Sequence, residues 1–226
     1  QYDSADCHFL GLMAPRNADR RVAETPPARA RTTSVVTGAT LIHRGRWSGG
    51  PLFDESFGFN LEDHDFGVRA VLLGHELWCE AGAVVLHGDG SVGLSYRPGV
   101  AASRDRLFYL TRNRWATMSK SWAPLTLALL APALALFELA QLALLAGRGH
   151  AGVWWQAARG FTGGLPAYRR QRRTRQATRR VGERAILRDG PLPLTGWVKK
   201  GPMARLAVAI LQETLRLYWR LVRGFV

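Results

Sequence analysis

The chain has 226 residues, 47% of them hydrophobic, and 31 lysines and arginines stand against 17 aspartates and glutamates for a formal net charge of +14. This is enough apolar material for a sizeable core in one or two units, and the charge calls for an anionic partner, nucleic acid or a membrane surface. Two cysteines, Cys7 and Cys79, have neither metal nor redox spacing, which argues against a disulfide framework or a zinc site and suits a reducing cytosol.

In chain order, Phe9 to Met13 predicts a short strand. Residues 15–33 collect Pro15, Pro26, Pro27 and five arginines with little apolar content, the composition of an exposed loop. Gly38 to Ile42 is strand-like and ends in the basic turn His43-Arg44-Gly45-Arg46. Gly49 to Phe57 is a glycine-opened loop that reverses the chain. Asp65 to Gly74 has apolar residues at helical spacing and a glycine stop.

The acidic cluster Glu62-Asp63-His64-Asp65 therefore falls at or just before a helix N-terminus, where the positive end of the helix dipole favours carboxylates. Three carboxylates in four positions repel one another, and a fold keeps them mainly where a proton, a metal or a cation uses them. The cluster is the candidate catalytic centre. Ala81 to Leu86 reads as a buried strand delivering His87 at its end. The glycine-rich turn 88–93 lacks the lysine and the strand-then-helix context of a phosphate loop.

From Tyr96 to Arg114, Arg97, Arg104, Arg106, Arg112 and Arg114 alternate with aromatic residues. Such a helix either binds phosphate oxygens through its guanidinium groups or packs by its aromatics with the arginines in water. Ala123 to Ala146 is almost wholly apolar and long enough to cross a hydrocarbon core of about 30 Å. Pro132, Glu138 and Gln141 interrupt it, and both flanks are basic and so belong on the cytoplasmic side. The expectation is a re-entrant or hairpin element broken near Pro132, or an in-plane helix pair; a buried core helix is the soluble alternative. In the final stretch, 202–226, Arg205, Gln212, Glu213, Arg216, Arg220 and Arg223 share one face of an amphipathic helix, a pattern that suits the headgroup region, a dimer interface or a core helix.

The order of the central motifs resembles the C-terminal half of the catalytic domain of family 2 glycosyltransferases, particularly the bacterial rhamnosyltransferase-like branch. The matching residues are Gly38-Ala39 with Arg44, Phe53-Asp54-Glu55, Glu62-Asp63-His64-Asp65, His87 with Ser91, and Arg112-Asn113. The resemblance covers roughly Val35 to Arg114. It implies the C-terminal part of a GT-A α/β fold, followed by a mostly helical membrane-associated region. It also implies inverting transfer of a sugar from a nucleotide-diphosphate donor to a cell-envelope or lipid-linked glycan acceptor, at the cytoplasmic face of the inner membrane.

By that resemblance Asp63 is the base that takes the acceptor hydroxyl proton and Glu62 orients acceptor or donor. Gly38, Ala39, Asp65, Arg112 and Asn113 are placed at the donor and acceptor, with Asp65 suited on its own chemistry to capping the helix or pairing with a cation. His87 is the candidate ligand for Mg2+ or Mn2+, a metal held mainly by a nucleotide-binding half. No strand and helix series ending in a D-x-D motif precedes Thr37, so the chain is expected to be a C-terminal fragment that is inactive by itself. The expected units are 1–118, an acceptor-side half containing the loop 15–33; 119–168, hydrophobic helices; 169–201, a basic linker; and 202–226, the amphipathic helix. The rival reading is a noncatalytic basic module binding membrane or nucleic acid through the arginines of 169–184. No recognised nucleic-acid signature accompanies that run, so the expected partners are a nucleotide-sugar, a glycan or lipid-linked acceptor and an anionic membrane surface, with no nucleic acid.

Overall fold

The structure is a computed structural model and describes residues 4–17, 28–85, 103–193 and 201–226. The chain is mixed α/β and mostly helical, with two small sheets. In the first sheet β1 (Ser4–His8) lies between β2 (Met13–Arg16), antiparallel to it, and β5 (Leu187–Arg188), parallel to it. The segment 9–13, expected as a strand, is mainly the turn joining β1 to β2. Gly11 adopts φ 75°, and the His8 N–H donates to the Leu12 carbonyl at 2.9 Å, so the chain reverses while Phe9 and Leu10 stay fully buried.

The second sheet pairs β3 (Ala30–Thr32) with β4 (Leu77–Cys79), antiparallel. Both ends of the expected loop 15–33 are thus strand, and 18–27 lie outside the described residues. Two further strand expectations are corrected. Gly38 to Ile42 is a turn followed by irregular backbone with Leu41 wholly exposed, because the run leaving β3 ends its pairing where Ser34 bridges Ala5. The segment 81–86 carries no strand within 81–85, and Val84 and Val85 are exposed. The strand lies earlier, at β4, where Arg31 pairs with Glu76 at 2.7 Å and Arg29 covers the Trp78 ring.

Helix α1 (Glu62–Leu72) starts at the acidic cluster and ends where Gly74 takes φ 88°. There the His75 N–H donates to the Ala70 carbonyl and the Gly74 N–H to the Val71 carbonyl, which closes the helix as a Schellman cap. Val68, Val71 and Leu72 enter the main core with Phe9, Trp122 and Ile186. On its other side α1 lies hard against the chain after β3: a Cβ on Gly67 would come within 2.8 Å of the Val35 backbone nitrogen.

Helix α2 (Arg104–Ser121) begins at Ser103, whose hydroxyl accepts from the Arg106 N–H, and packs chiefly on α4 (Ala151–Thr178). Between them in sequence is α3 (Pro124–Ala146), with Pro124 in its first turn. The break expected near Pro132 is absent: α3 runs through it, Pro132 sits on the exposed side where its ring meets no packed helix, and the hairpin turn falls at 147–150. Of the span 169–201, expected as a linker, the first part is helix: α4 continues to Thr178, and its last turns reach α2 through Arg172 and α1 through Arg175. Helix α5 (Pro202–Val222) matches the amphipathic expectation, with Leu215 and Trp219 in the main core and Trp219 stacked on Phe9 at 4.9 Å.

Candidate active site

The acidic cluster is sorted by environment. Asp65 is fully buried, and three cations converge on it: Arg175 by two bonds of 2.7 and 2.8 Å, Arg69 at 3.2 Å and Lys120 at 3.5 Å. Burial alone would raise the Asp65 carboxyl, but the charges of Arg175 and Lys120 outweigh it and hold the group well below the usual carboxylate range. Lys120 completes the network on Asp54 at 2.8 Å, and burial pushes its ammonium down to about 8 against the pull of both carboxylates. Asp65 is therefore an ion-paired residue, as its chemistry suggested, and the expectation that it meets donor or acceptor gives way.

Glu62 and Asp63 are different. Both are half-buried, and burial raises both carboxyls above their ordinary values; for Glu62 the neighbouring Asp63 charge adds to the rise. Asp63 accepts from the Thr37 N–H at 3.2 Å and from the His64 N–H at 2.7 Å, bonds that hold its carboxylate in place and partly offset the rise. Thr37 opens the exposed turn that carries Gly38 and Ala39, so those two small residues follow in the chain directly on the one that bonds Asp63. His64, between the acids, is buried against Ser34 at 2.8 Å, and burial lowers its ring to about 4, so it stays neutral.

The backbone entering the cluster is strained. Asn60 and Leu61 take φ 60° and 65°, and for Leu61, a bulky residue, the left-handed region is unfavourable. Leu61 is the residue that precedes the helix and caps nothing with its side chain. What holds the bend is Asn113 on α2: its Nδ2 donates to the carbonyls of Phe57, Phe59 and Asn60 at 3.1, 2.8 and 2.7 Å. Arg112 adds bonds to the Ser56 and Phe57 carbonyls and to the Asn113 side chain. Arg112 and Asn113 thus spend these donors on the loop that aims Glu62 and Asp63. In the structure both side chains bond this loop, Asn113 from a fully buried position and Arg112 from a half-buried one.

A cavity of about 530 Å³ opens beside this network, lined among others by Gly49, Asp54, Glu55, Arg69, Arg175 and Arg179. Asp63 does not line it. On a helix at 100° per residue Asp63 and Asp65 point to nearly opposite sides. The cavity is lined by Arg69 and Arg175, the partners of the buried Asp65, and the Thr37 turn borders Asp63.

Among the described residues no three His, Cys, Asp or Glu side chains converge where a metal ion would sit. The Mg2+ or Mn2+ expectation rested mainly on a nucleotide-binding half, and its other candidate ligand, His87, lies outside the described residues, as does Ser91. The sequence reading missed Lys120 and Arg175, whose partners are 66 and 110 residues away. The signal lay in their partners, Asp54 inside the Phe53-Asp54-Glu55 motif and Asp65 inside the acidic cluster. Compared with protein-family models, curated proteins and solved structures, the chain matches none of them.

Proposed function

We propose that the chain is the acceptor-side half of an inverting family 2 glycosyltransferase, with Asp63 as the base that deprotonates the acceptor hydroxyl. The observation that carries this reading is the separation of adjacent carboxylates into one locked as an anion, Asp65, and two with raised affinity for a proton, Glu62 and Asp63. A general base needs a pKa lifted towards the working pH and a fixed direction, and Asp63 has both. Proton abstraction of this kind contributes about 10² to 10⁴ in rate. The acceptor oxygen attacks the anomeric carbon from the face opposite the departing nucleotide diphosphate, and its proton passes to an Asp63 carboxylate oxygen. Glu62 lies beside it to orient the acceptor.

The donor is a nucleotide-diphosphate sugar and the acceptor a cell-envelope or lipid-linked glycan. Such donors are cytosolic, which places the reaction at the cytoplasmic face of the membrane. Mg2+ or Mn2+ on the donor diphosphate belongs to the nucleotide-binding half, and no step here is routed through it. The test is product analysis in a polypeptide that joins this chain to a nucleotide-binding half. Acceptor-dependent release of nucleoside diphosphate with inversion at the anomeric carbon is the expected outcome; retention of configuration would overturn it.

A further inference from the structure

Helix α3 is long and apolar enough to cross a bilayer by length and composition, yet it is built as a one-sided element. The two polar side chains that interrupt its apolar run, Glu138 and Gln141, both turn inward. Glu138 accepts from Arg114, from the Trp115 indole at 2.7 Å and from the Trp154 indole at 3.2 Å, and Gln141 donates to Thr111 at 2.8 Å. Leu130, Ala133 and Phe137 are buried on the same inner side. A core helix would be mostly covered, but only 17% of the apolar stretch of α3 is. The bare side runs the length of the helix through Leu125, Ala128, Pro132, Leu136, Leu139 and Ala143 and holds no charge.

Helix α5 repeats the arrangement. Leu215 and Trp219 face the core, Arg205, Arg216, Arg220 and Arg223 fall on a second side, and Met203, Leu206, Ile210, Leu217 and Leu221 form a bare apolar stripe on the third. The two bare sides adjoin. The Tyr218 hydroxyl donates to the Leu129 carbonyl at 2.6 Å, and by helical periodicity Tyr218 borders the α5 stripe while Leu129 borders the open side of α3.

We infer that the open sides of α3 and α5 together seat the protein on an anionic lipid bilayer, with α3 lying in the plane of one leaflet and crossing nothing. A crossing α3 would have to leave Arg114, Thr111 and α2, and would carry Glu138 into hydrocarbon without its partners. On this side Arg216 is paired with Glu213 and Asp189, and the exposed Arg205, Arg220 and Arg223, next to the apolar stripe, are the complement of anionic headgroups, which is why the occupant is a membrane and not a second copy of this equally basic chain. The seat uses neither Asp63 nor any step of sugar transfer, so it stands or falls separately from that reading.

The test is co-flotation of the full chain with phosphatidylcholine vesicles with and without phosphatidylglycerol, followed by trypsin added outside the vesicles. Binding is expected to need the anionic lipid and to weaken at least about tenfold when Leu206 and Leu217, or Leu136 and Leu139, become Gln. These side chains are exposed, so circular dichroism should be unchanged. Arg220→Gln and Arg223→Gln should each weaken binding about fivefold. Trypsin should cut after Arg148, at the far end of α3. Protection of Arg148 would mean that α3 crosses, and that result overturns the proposal. So would unaltered binding of both leucine pairs, or a dimer in solution that shows no affinity for vesicles.

Discussion

Arg175 on α4 clasps Asp65 on α1 across 110 residues of sequence, with both of its terminal nitrogens on both carboxylate oxygens. The helical hairpin and the acid-bearing helix are therefore one mechanical unit. Removing the Asp65 charge leaves Arg175, Arg69 and Lys120 without their common anion in a buried place. Asp65→Asn is expected to destabilise the fold by about 3 to 5 kcal/mol, read from urea unfolding. The double change Asp65→Leu with Arg175→Met should cost less than the sum of the two singles. Additive losses would show that the two side chains are not coupled.

The same network sets a dependence on acid. The upward push of burial is outweighed at Asp65 by Arg175 and Lys120 and at Asp54 by Lys120 and the bonds from Ser56, so both sit below their ordinary value of 3.8. The unfolded chain then binds protons before the native one does. Stability from these groups is fully present above that ordinary value and is lost as pH falls through the depressed native values. Glu62 and Asp63, raised by folding, act in the opposite sense, with stability declining as pH rises through their raised values. The urea midpoint should fall steeply below about pH 4, and less steeply in Asp65→Asn. An equally steep fall in the variant would take Asp65 out of the linkage.

Asn113 holds three carbonyls of the bend that enters α1. Asn113→Ala strands the Phe59 and Asn60 carbonyls in a part-buried place, leaves the Phe57 carbonyl to Arg112 and the Phe59 N–H, and removes the support of the left-handed pair Asn60-Leu61. A loss of about 2 to 3 kcal/mol is expected, with faster hydrogen exchange confined at first to 57–63. Asn113→Asp keeps the shape but turns a donor into an acceptor facing carbonyls, and should be at least as damaging.

What was legible in the sequence was what local spacing controls. The glycine stop of α1, the position of the acids at its first turn and the polar side of α5 follow from periods of a few residues. What was not legible depended on distant partners. Phe9 to Met13 reads as a strand because its residues are apolar, but the glycine at 11 and the buried side chains make it a turn. The arginines of 169–184 read as a linker because their charges look solvated. In the fold, Arg172 and Arg175 on α4 and Arg179 just past its end meet Ser119, Asp65 and Glu183, while Arg169, Arg170 and Arg173 face water. Likewise the orientation of Glu138, which decides whether α3 fits a membrane, is set by Arg114 and two tryptophans on other helices.

Gly67 tests the contact that brings the Thr37 turn to Asp63. Gly67→Ala places a methyl within 2.8 to 3.0 Å of the backbone of Ser34 and Val35, atoms that cannot rotate away. Despite the better helix propensity of alanine, a net destabilisation of about 1 to 3 kcal/mol is expected in thermal or urea unfolding. A stabilised variant would mean that α1 and the 34–37 segment are not in firm contact.

Sugar transfer by Asp63→Asn, in a polypeptide that carries both halves of the catalytic domain, bears most directly on the role given to the acidic cluster. The amide keeps the shape and loses the proton-accepting oxygen pair. Turnover should drop by about 10² to 10⁴ while donor affinity and the unfolding midpoint stay near those of the parent protein. Turnover close to that of the parent would contradict the assignment of Asp63 as the base.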